Sequence, residues 1–328
     1  MAKLVLGIGT SHTPMLNAQL QDWPRFVERD RGRSHLDKEG RETTYDNLVA
    51  RAGPQIAPYL TEERMAESHA TATRCMADIT SLLESSRLDA LIVVGDDQKE
   101  LYFENNQPSV LIYYGETIRN VPRRPGQPGG DWYLRAAARY YEENVPRDFP
   151  VDSRLARHLI EALIDADFDI ATANALADGM GEGHAFGFVH KRLMNGLALP
   201  IVPVFLNTYY PPNQPTPRRC YRLGQAIRRA VDSFAGDARI GIIASGGLSH
   251  FTVDEELDGI VVKALREKDA ASLQALPRNK LNSGSSEIRN WICVAGAVES
   301  LDLDWVVYRP GYRTPAGTGT GLCFAAWH

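Results

Sequence analysis

The sequence predicts a single three-layer α/β domain over residues 1–328. Its central sheet is expected to be mostly parallel or mixed, with a site at the strand carboxyl ends. Three observations carry that expectation. Short apolar runs alternate with amphipathic helical segments along the whole chain, the pattern of a sheet covered by helices on both faces. Three of those runs end in ligand-type residues: His12 after Leu4–Gly9, Asp96-Asp97-Gln98 after Ala90–Val94, and His250 after Ile240–Ala244. In open α/β sheets, ligands and catalytic groups gather at such ends. The chain also lacks 20–50-residue repeats and low-complexity tails, so neither a solenoid nor a disordered array is indicated.

In chain order, residues 4–10 read as a buried strand. Residues 17–60 are polar and proline-broken and read as a helical excursion or lid. Thr61 can cap a helix running to about Ser85, because Met65, His69, Ala72, Met76, Ile79 and Leu83 share one face at helical spacing. Strands follow at 89–95 and 109–114. The Pro/Gly-rich segment 121–131 reads as a loop. Asp152-Ser153 precedes a helix over 154–166, and a strand is expected at 168–173. Residues 200–206 form a strand before a proline-rich loop, 209–217. A helix at 218–234, a strand at 239–245 and a helix at 285–300 complete the pattern, with 300–328 as a C-terminal substrate-side segment.

Composition narrows the function classes. The net charge of −5 argues against a nucleic-acid partner, which needs a basic excess to meet phosphates. Cys75, Cys220, Cys293 and Cys323 are far apart, so neither a zinc finger nor a disulfide scaffold is expected, and a cytoplasmic setting is the default. The apolar stretch after Met-Ala-Lys is too short for a signal peptide, and no run has the length of a membrane span.

Of the eight histidines, His12, His184 and His250 fall in Gly-, Ser- or Pro-rich turns, where functional side chains are displayed. His69 sits on the apolar helix face, His158 and His190 lie in helix-like patterns, His35 is in the excursion and His328 is terminal. A mononuclear Fe(II) oxygenase site needs two neutral imidazoles and a carboxylate on one face, leaving the other face open. Further histidines nearby can shuttle protons. Glu287, in Gly284-Ser285-Ser286-Glu287, is the candidate carboxylate.

Five segments occur in a telling order: Gly9-Thr10-Ser11-His12-Thr13-Pro14, Gly183-His184-Ala185-Phe186, Tyr209-Tyr210-Pro211-Pro212 with Arg219-Cys220, Gly246-Gly247-Leu248-Ser249-His250, and Gly284-Ser285-Ser286-Glu287 with Trp291. In them the chain resembles the class III extradiol dioxygenases, the superfamily of the protocatechuate 4,5-dioxygenase β subunit. Gly95-Asp96-Asp97-Gln98 and the end Tyr312–Gly321 make it look closest to the 3-O-methylgallate dioxygenase branch.

The resemblance implies extradiol cleavage of a catechol-type aromatic by O₂ on Fe(II), with Mn(II) as the other candidate metal. It implies a small aromatic diol as substrate, no membrane partner and a homo-oligomer of two or more chains. By that likeness His12 and Glu287 match iron-binding positions, His250 an acid/base histidine, and His184 a second histidine near the substrate. The chain departs from the family's Asn-Asp-His turn. An ungapped count puts Gln98 at the usual second histidine ligand, and a one-residue slip puts Asp97 there; both stay open as oxygen ligands. Two other outcomes also remain: cleavage of a dihydroxypyridine, and a non-catalytic binding protein whose metal site has degenerated. For a substrate carboxylate, Gly317–Gly321 and Arg218-Arg219 are the expected partners.

Overall fold

Uncharged runs of Val, Ile and Leu build the middle of the sheet, since strands covered on both faces have no polar side to show. The computed structural model describes residues 1–123 and 130–328. Its strands are β1 (Lys3–Thr10), β2 (His35–Leu36), β3 (Glu42–Thr43), β4 (Ala90–Asp96), β5 (Val110–Tyr113), β6 (Thr117–Asn120), β7 (Arg147–Pro150), β8 (Ala171–Ala173), β9 (Ile201–Leu206), β10 (Arg239–Ser245), β11 (Leu303–Tyr312) and β12 (Gly319–Trp327). Eight of them form one mixed sheet in the order β11-β12-β1-β10-β4-β9-β5-β8. The run β1-β10-β4-β9 is parallel throughout. Those four strands therefore end on the same edge, which is the edge that carries the site. β12 pairs antiparallel with β1, and β5 antiparallel with β9.

Side chains alternate across each strand. Ile92, Val94, Val202, Val204, Ile240 and Ile242 enter one apolar layer with the helices Ser153–Asp165, Pro217–Ser233, Glu255–Glu267 and Ile288–Ala297. Leu91, Val93, Phe205 and Ile243 enter the other, against the long helix Glu62–Ser85 and the segment Ala185–Leu193. The result is the expected three-layer α/β domain. Truncating a buried Ile or Leu in such a core costs about 2–5 kcal/mol, so the site stands on a rigid floor.

Caps set several helix starts. Thr61 accepts from the Arg64 amide and Asp152 from the Leu155 amide. Met65, Ala72, Met76, Ile79 and Leu83 are buried as the helical spacing requires, while His69 is half-buried at the rim, edge-on to Trp23.

Four expectations change. The strand expected at 168–173 shrinks to Ala171–Ala173, because the Phe168 amide donates back to Leu163 O and closes the preceding helix, with Asp167 in the left-handed region. The helix expected at 285–300 begins as a 3₁₀ turn, Ser283–Glu287, and continues as an α-helix over Ile288–Ala297. Of the loop expected at 121–131, residues 124–129 lie outside the described residues, and a helix starts at Gly130. Residues 300–328 are mostly the β11–β12 hairpin, which extends the central sheet past β1.

The excursion 17–60 holds short helical segments and the β2–β3 hairpin. It has a small core of its own, in which Trp23 and Phe26 join Met15, Met65 and Trp132. A buried ion pair fastens it to the sheet: both oxygens of Asp30 receive the Arg313 guanidinium, at 2.8 and 3.0 Å, and Thr318 Oγ1 donates to the same carboxylate. Among the described residues, no helix is long and apolar enough to cross a membrane.

Candidate metal and catalytic site

The parallel strands bring their last residues together. His12 lies two residues past β1, Asp96 ends β4, Tyr209 lies three past β9, and Ser245 ends β10. Glu287 arrives on the 3₁₀ turn that leads into Ile288–Ala297, and His184 opens the short helix His184–Phe188.

His12 is held in one tautomer. Its Nδ1 lies 3.0 Å from Ser245 Oγ, and that hydroxyl spends its single hydrogen on Ala185 O at 2.7 Å. Ser245 therefore accepts from Nδ1–H, which leaves a lone pair on Nε2. That Nε2 is buried without a hydrogen-bond partner. It faces Glu287 Oε2 at 3.2 Å and Asp96 Oδ1 at 4.0 Å. Burial keeps the pKa of His12 below the ordinary histidine value despite the pull of Glu287, so the ring is neutral.

The two carboxylates differ. Glu287 is fully buried. Its Oε2 accepts from the Gly247 amide at 2.8 Å, and its Oε1 accepts from Tyr209 OH at 2.9 Å and Gln98 Nε2 at 3.2 Å. Burial opposes its charge, but His250 and His12 hold it well below the usual carboxylate range. Asp96 is also fully buried, yet its nearest donors, Asn290 Nδ2 and Gln98 Nε2, both stand 3.4 Å away. Burial, reinforced by the charge of Glu287, pushes its carboxyl well above the usual range. Ligand atoms of His12, Asp96, His184 and Glu287 all lie within 4.8 Å of one another. An orphaned neutral imidazole nitrogen beside two dry carboxylates fits a divalent cation, and an oxygen and nitrogen donor set without thiolate suits the harder first-row metals.

His250 is placed for proton exchange. Leu248 O, which can only accept, lies 2.8 Å from Nδ1 and so fixes the proton there. The backbone amide of His250 donates to Ser285 Oγ at 3.0 Å. Gly284 passes directly under the ring, where an added Cβ would come within 2.0 Å of Cδ2. Nε2 is left facing Glu287 Oε1 at 3.2 Å. Burial disfavours the imidazolium, but Glu287 outweighs it and raises the pKa.

His184 completes the ring of histidines, edge-on to His12 at 4.6 Å between centroids. Its Nδ1 meets Glu100 Oε2 at 2.6 Å. Burial opposes the charge on both partners, yet their attraction raises His184 to about 10 and lowers Glu100 to about 2. Gln98 Nε2 lies 3.0 Å from Tyr209 OH, 3.2 Å from Glu287 Oε1, 3.3 Å from His184 Nε2 and 3.4 Å from Asp96 Oδ2. Its two hydrogens cannot satisfy four neighbours.

The family model described as the catalytic LigB subunit of aromatic ring-opening dioxygenase matches residues 130–322. The chain belongs to this family. It is similar to the gallate dioxygenase of Pseudomonas putida, with 34% identity over 115 residues, which are 33% of this chain and 32% of that one. A 2,3-dihydroxyphenylpropionate/2,3-dihydroxicinnamic acid 1,2-dioxygenase of Cupriavidus necator is 36% identical over 110 residues, 34% of this chain and 33% of the relative. One of the same name from Rhodococcus sp. is 28% identical over 174 residues, 51% of each chain. The match thus spans about a third of the length of the first two relatives.

In this LigB-family chain, His12, His184, Gln98, His250 and Glu287 come together as one cluster. Asp97 does not join them. Its Oδ1 accepts from the Leu101 amide at 2.9 Å and its Oδ2 from the Tyr102 amide at 3.1 Å, so it holds the turn after β4. Asp96 reaches the cluster instead. Among the remaining histidines, His35 bonds to Asp30 O, His158 to Ala230 O and His190 to Glu182, all away from the cluster. In the glycine run, the amides of Gly317, Gly319 and Gly321 are already committed to Thr314 O, Phe251 O and Ser249 O. Arg218 and Arg219 are exposed at the start of Pro217–Ser233, with Arg219 over Phe168.

Sequence reasoning passed over Ser245 and Glu100. Ser245 could have been found by reading the last residue of every parallel strand. Glu100 had no such signal, because it reaches the site through a turn with Lys99 at φ +57°.

The division of labour between the two aspartates is testable. Asp96→Asn is expected to lower metal occupancy, measured by elemental analysis after Fe(II) loading. Asp97→Ala is expected to keep metal and lose about 0.5–2 kcal/mol of stability, the scale of a lost cap, in a denaturant titration. Metal lost from the Asp97 variant but retained by the Asp96 variant would reverse the assignment.

Proposed function

We propose that the protein opens the ring of a catechol-type aromatic with O₂, next to one of two vicinal hydroxyls, using Fe(II) or alternatively Mn(II). The observation that carries this reading is the neutral His12 with its orphaned Nε2, set against Asp96 and Glu287. His12, Asp96 and Glu287 would hold the metal, with the Gln98 amide the alternative oxygen donor beside them. Bound iron supplies the route for electron density from ring to O₂, which a spin-paired ring lacks by itself.

The chain's own groups do the rest. His250 Nε2 takes the proton of a substrate hydroxyl and later returns it, while Leu248 O keeps the other ring nitrogen protonated. His184 Nε2 hydrogen-bonds the substrate, and Tyr209 OH holds Glu287 in place. Burial of Glu287, Asp96 and His12 keeps water from these contacts and strengthens them. The similarity to a protein named gallate dioxygenase supports a gallate-like substrate.

Anaerobic Fe(II) loading followed by oxygen-uptake measurement with gallate, 3-O-methylgallate, protocatechuate and dihydroxypyridines tests the reading. Uptake with loss of aromatic absorbance for one of the first three is the expected result. Uptake with a dihydroxypyridine alone moves the substrate class. A chain that takes up no metal and consumes no oxygen with any of them is a binding protein, and the proposal fails.

A further inference from the structure

We propose that Glu100 is a positioning residue, fixing the ring of His184 so that its Nε2 faces the cluster. The inference deepens the reading above and rests on it for its kinetic consequence. Its geometric basis stands separately.

Glu100 grips His184 at two points. One carboxylate oxygen, Oε2, accepts from the His184 backbone amide at 3.0 Å and meets ring Nδ1 at 2.6 Å. The other, Oε1, accepts from Tyr141 OH at 2.5 Å. A carboxylate held on both oxygens cannot rotate, and a ring bonded through the same oxygen as its own backbone has one orientation. Because Oε2 can only accept, the proton is kept on Nδ1. The opposite nitrogen is then turned inward, 3.3 Å from Gln98 Nε2.

The surrounding backbone is built for this grip. An added Cβ at Gly183 would lie 2.8 Å from Glu100 Oε2. Any side chain there would push the carboxylate off the His184 amide. On the other strand end, Asp97 holds the Leu101 and Tyr102 amides, and Lys99 sits in the left-handed region at φ +57°. That conformation is unfavourable for a residue with a side chain, so the turn is maintained against a local cost. Its effect is to bring Glu100 back to the cluster four residues after Asp96.

Without Glu100 the ring loses its anchor. Gln98, Glu100 and Tyr141 line a cavity of about 960 Å³ that opens beside the cluster. His184 is partly buried, bonded to Glu100 and edge-on to His12. A ring with no partner on Nδ1 is no longer held in one orientation. Carboxylates that orient a functional imidazole in this way typically contribute one to two orders of magnitude.

The test uses the full chain with Glu100→Ala, Glu100→Gln, Glu100→Asp and His184→Ala. In the iron-loaded protein, Glu100→Ala is expected to lower kcat by about 10–100-fold, with KM changing far less. Glu100→Gln keeps an acceptor at Oε2 and should restore most of the turnover. In the metal-free, ¹⁵N-histidine-labelled protein, the Nδ1–H of His184 should give a downfield, exchange-protected proton resonance. It should vanish in His184→Ala and Glu100→Ala and persist in Glu100→Gln. If the alanine variant does not fold, Glu100→Asp, which withdraws the carboxylate by one methylene, should shift or broaden the same resonance. Persistence of an unchanged resonance in the alanine or aspartate variant overturns the proposal. So does an equal loss of kcat in the glutamine and alanine variants, which would make charge rather than placement the contribution. The resonance is read without turnover, so failure of the dioxygenase reading and failure of the positioning role are told apart.

Discussion

Glu287→Ala and His12→Ala are each expected to leave the chain folded and without bound metal. Glu287 receives the Gly247 amide, Tyr209 OH and Gln98, and it lies within 3.2 Å of both His12 Nε2 and His250 Nε2. It is the carboxylate that stays charged when buried. Removing it leaves Asp96, 4.0 Å from His12 Nε2, as the carboxylate that faces that nitrogen. The loss of affinity should exceed the roughly 10–100-fold typical of an outer-shell partner. Within the cluster, His12 contributes a buried nitrogen lone pair that has no hydrogen-bond partner. Since Glu287→Ala strands buried donors at about 1–3 kcal/mol each, Glu287→Gln serves as the shape-preserving companion. Elemental analysis after Fe(II) loading, with circular dichroism to confirm folding, decides the matter. Full occupancy in the His12 or Glu287 variants would reject the ligand assignment.

His250→Ala should behave in the opposite way, keeping metal and losing turnover. The ring lies outside the group of His12, Asp96, His184 and Glu287 whose ligand atoms stand within 4.8 Å of one another, and its Nδ1 proton is committed to Leu248 O. What disappears is the atom that exchanges a proton with the substrate hydroxyl. The expected fall in kcat is about 10²–10⁴-fold, the usual scale for a general acid/base. Iron content, kcat and KM measured on the same preparation separate this from a binding defect. Near-normal turnover with iron retained would remove His250 from the mechanism. Metal loss in this variant would make it a ligand instead.

Much of the architecture was legible because local chemistry and global fold agree. The apolar runs inside β1, β4, β9 and β10 read as strands buried on both faces by their length and β-branched content, and Thr61 and Asp152 mark helix starts by their side-chain oxygens. The β11–β12 hairpin was not legible. Its residues 303–312 carry Asp304, Arg309 and Pro310, and its turn lies in a glycine run that resembles a surface loop. It is a pair of strands because it lies against β1 and is tied through Arg313 and Thr318 to Asp30 of the excursion.

By itself the sequence pointed to the class of fold, to the edge on which a site would form, and to His12, His184, His250 and Gln98 as candidate members, with Glu287 resting on the family resemblance. Family membership is shown by the match over residues 130–322, which includes His250 and Glu287 but not His12. Only the tertiary structure decided which acidic residue faces them. Neighbouring side chains at a strand end point to opposite sides. The count left Gln98 and Asp97 open and did not offer Asp96; in the structure Gln98 and Asp96 enter the cluster, while Asp97 bonds the next turn. Glu100 lay further out of reach. Its approach to His184 depends on a left-handed turn at Lys99 and on the space left by Gly183, and the two partners are 84 residues apart along the chain. Contacts of that range are set by the packing of whole elements, and no local pattern in the sequence encodes them.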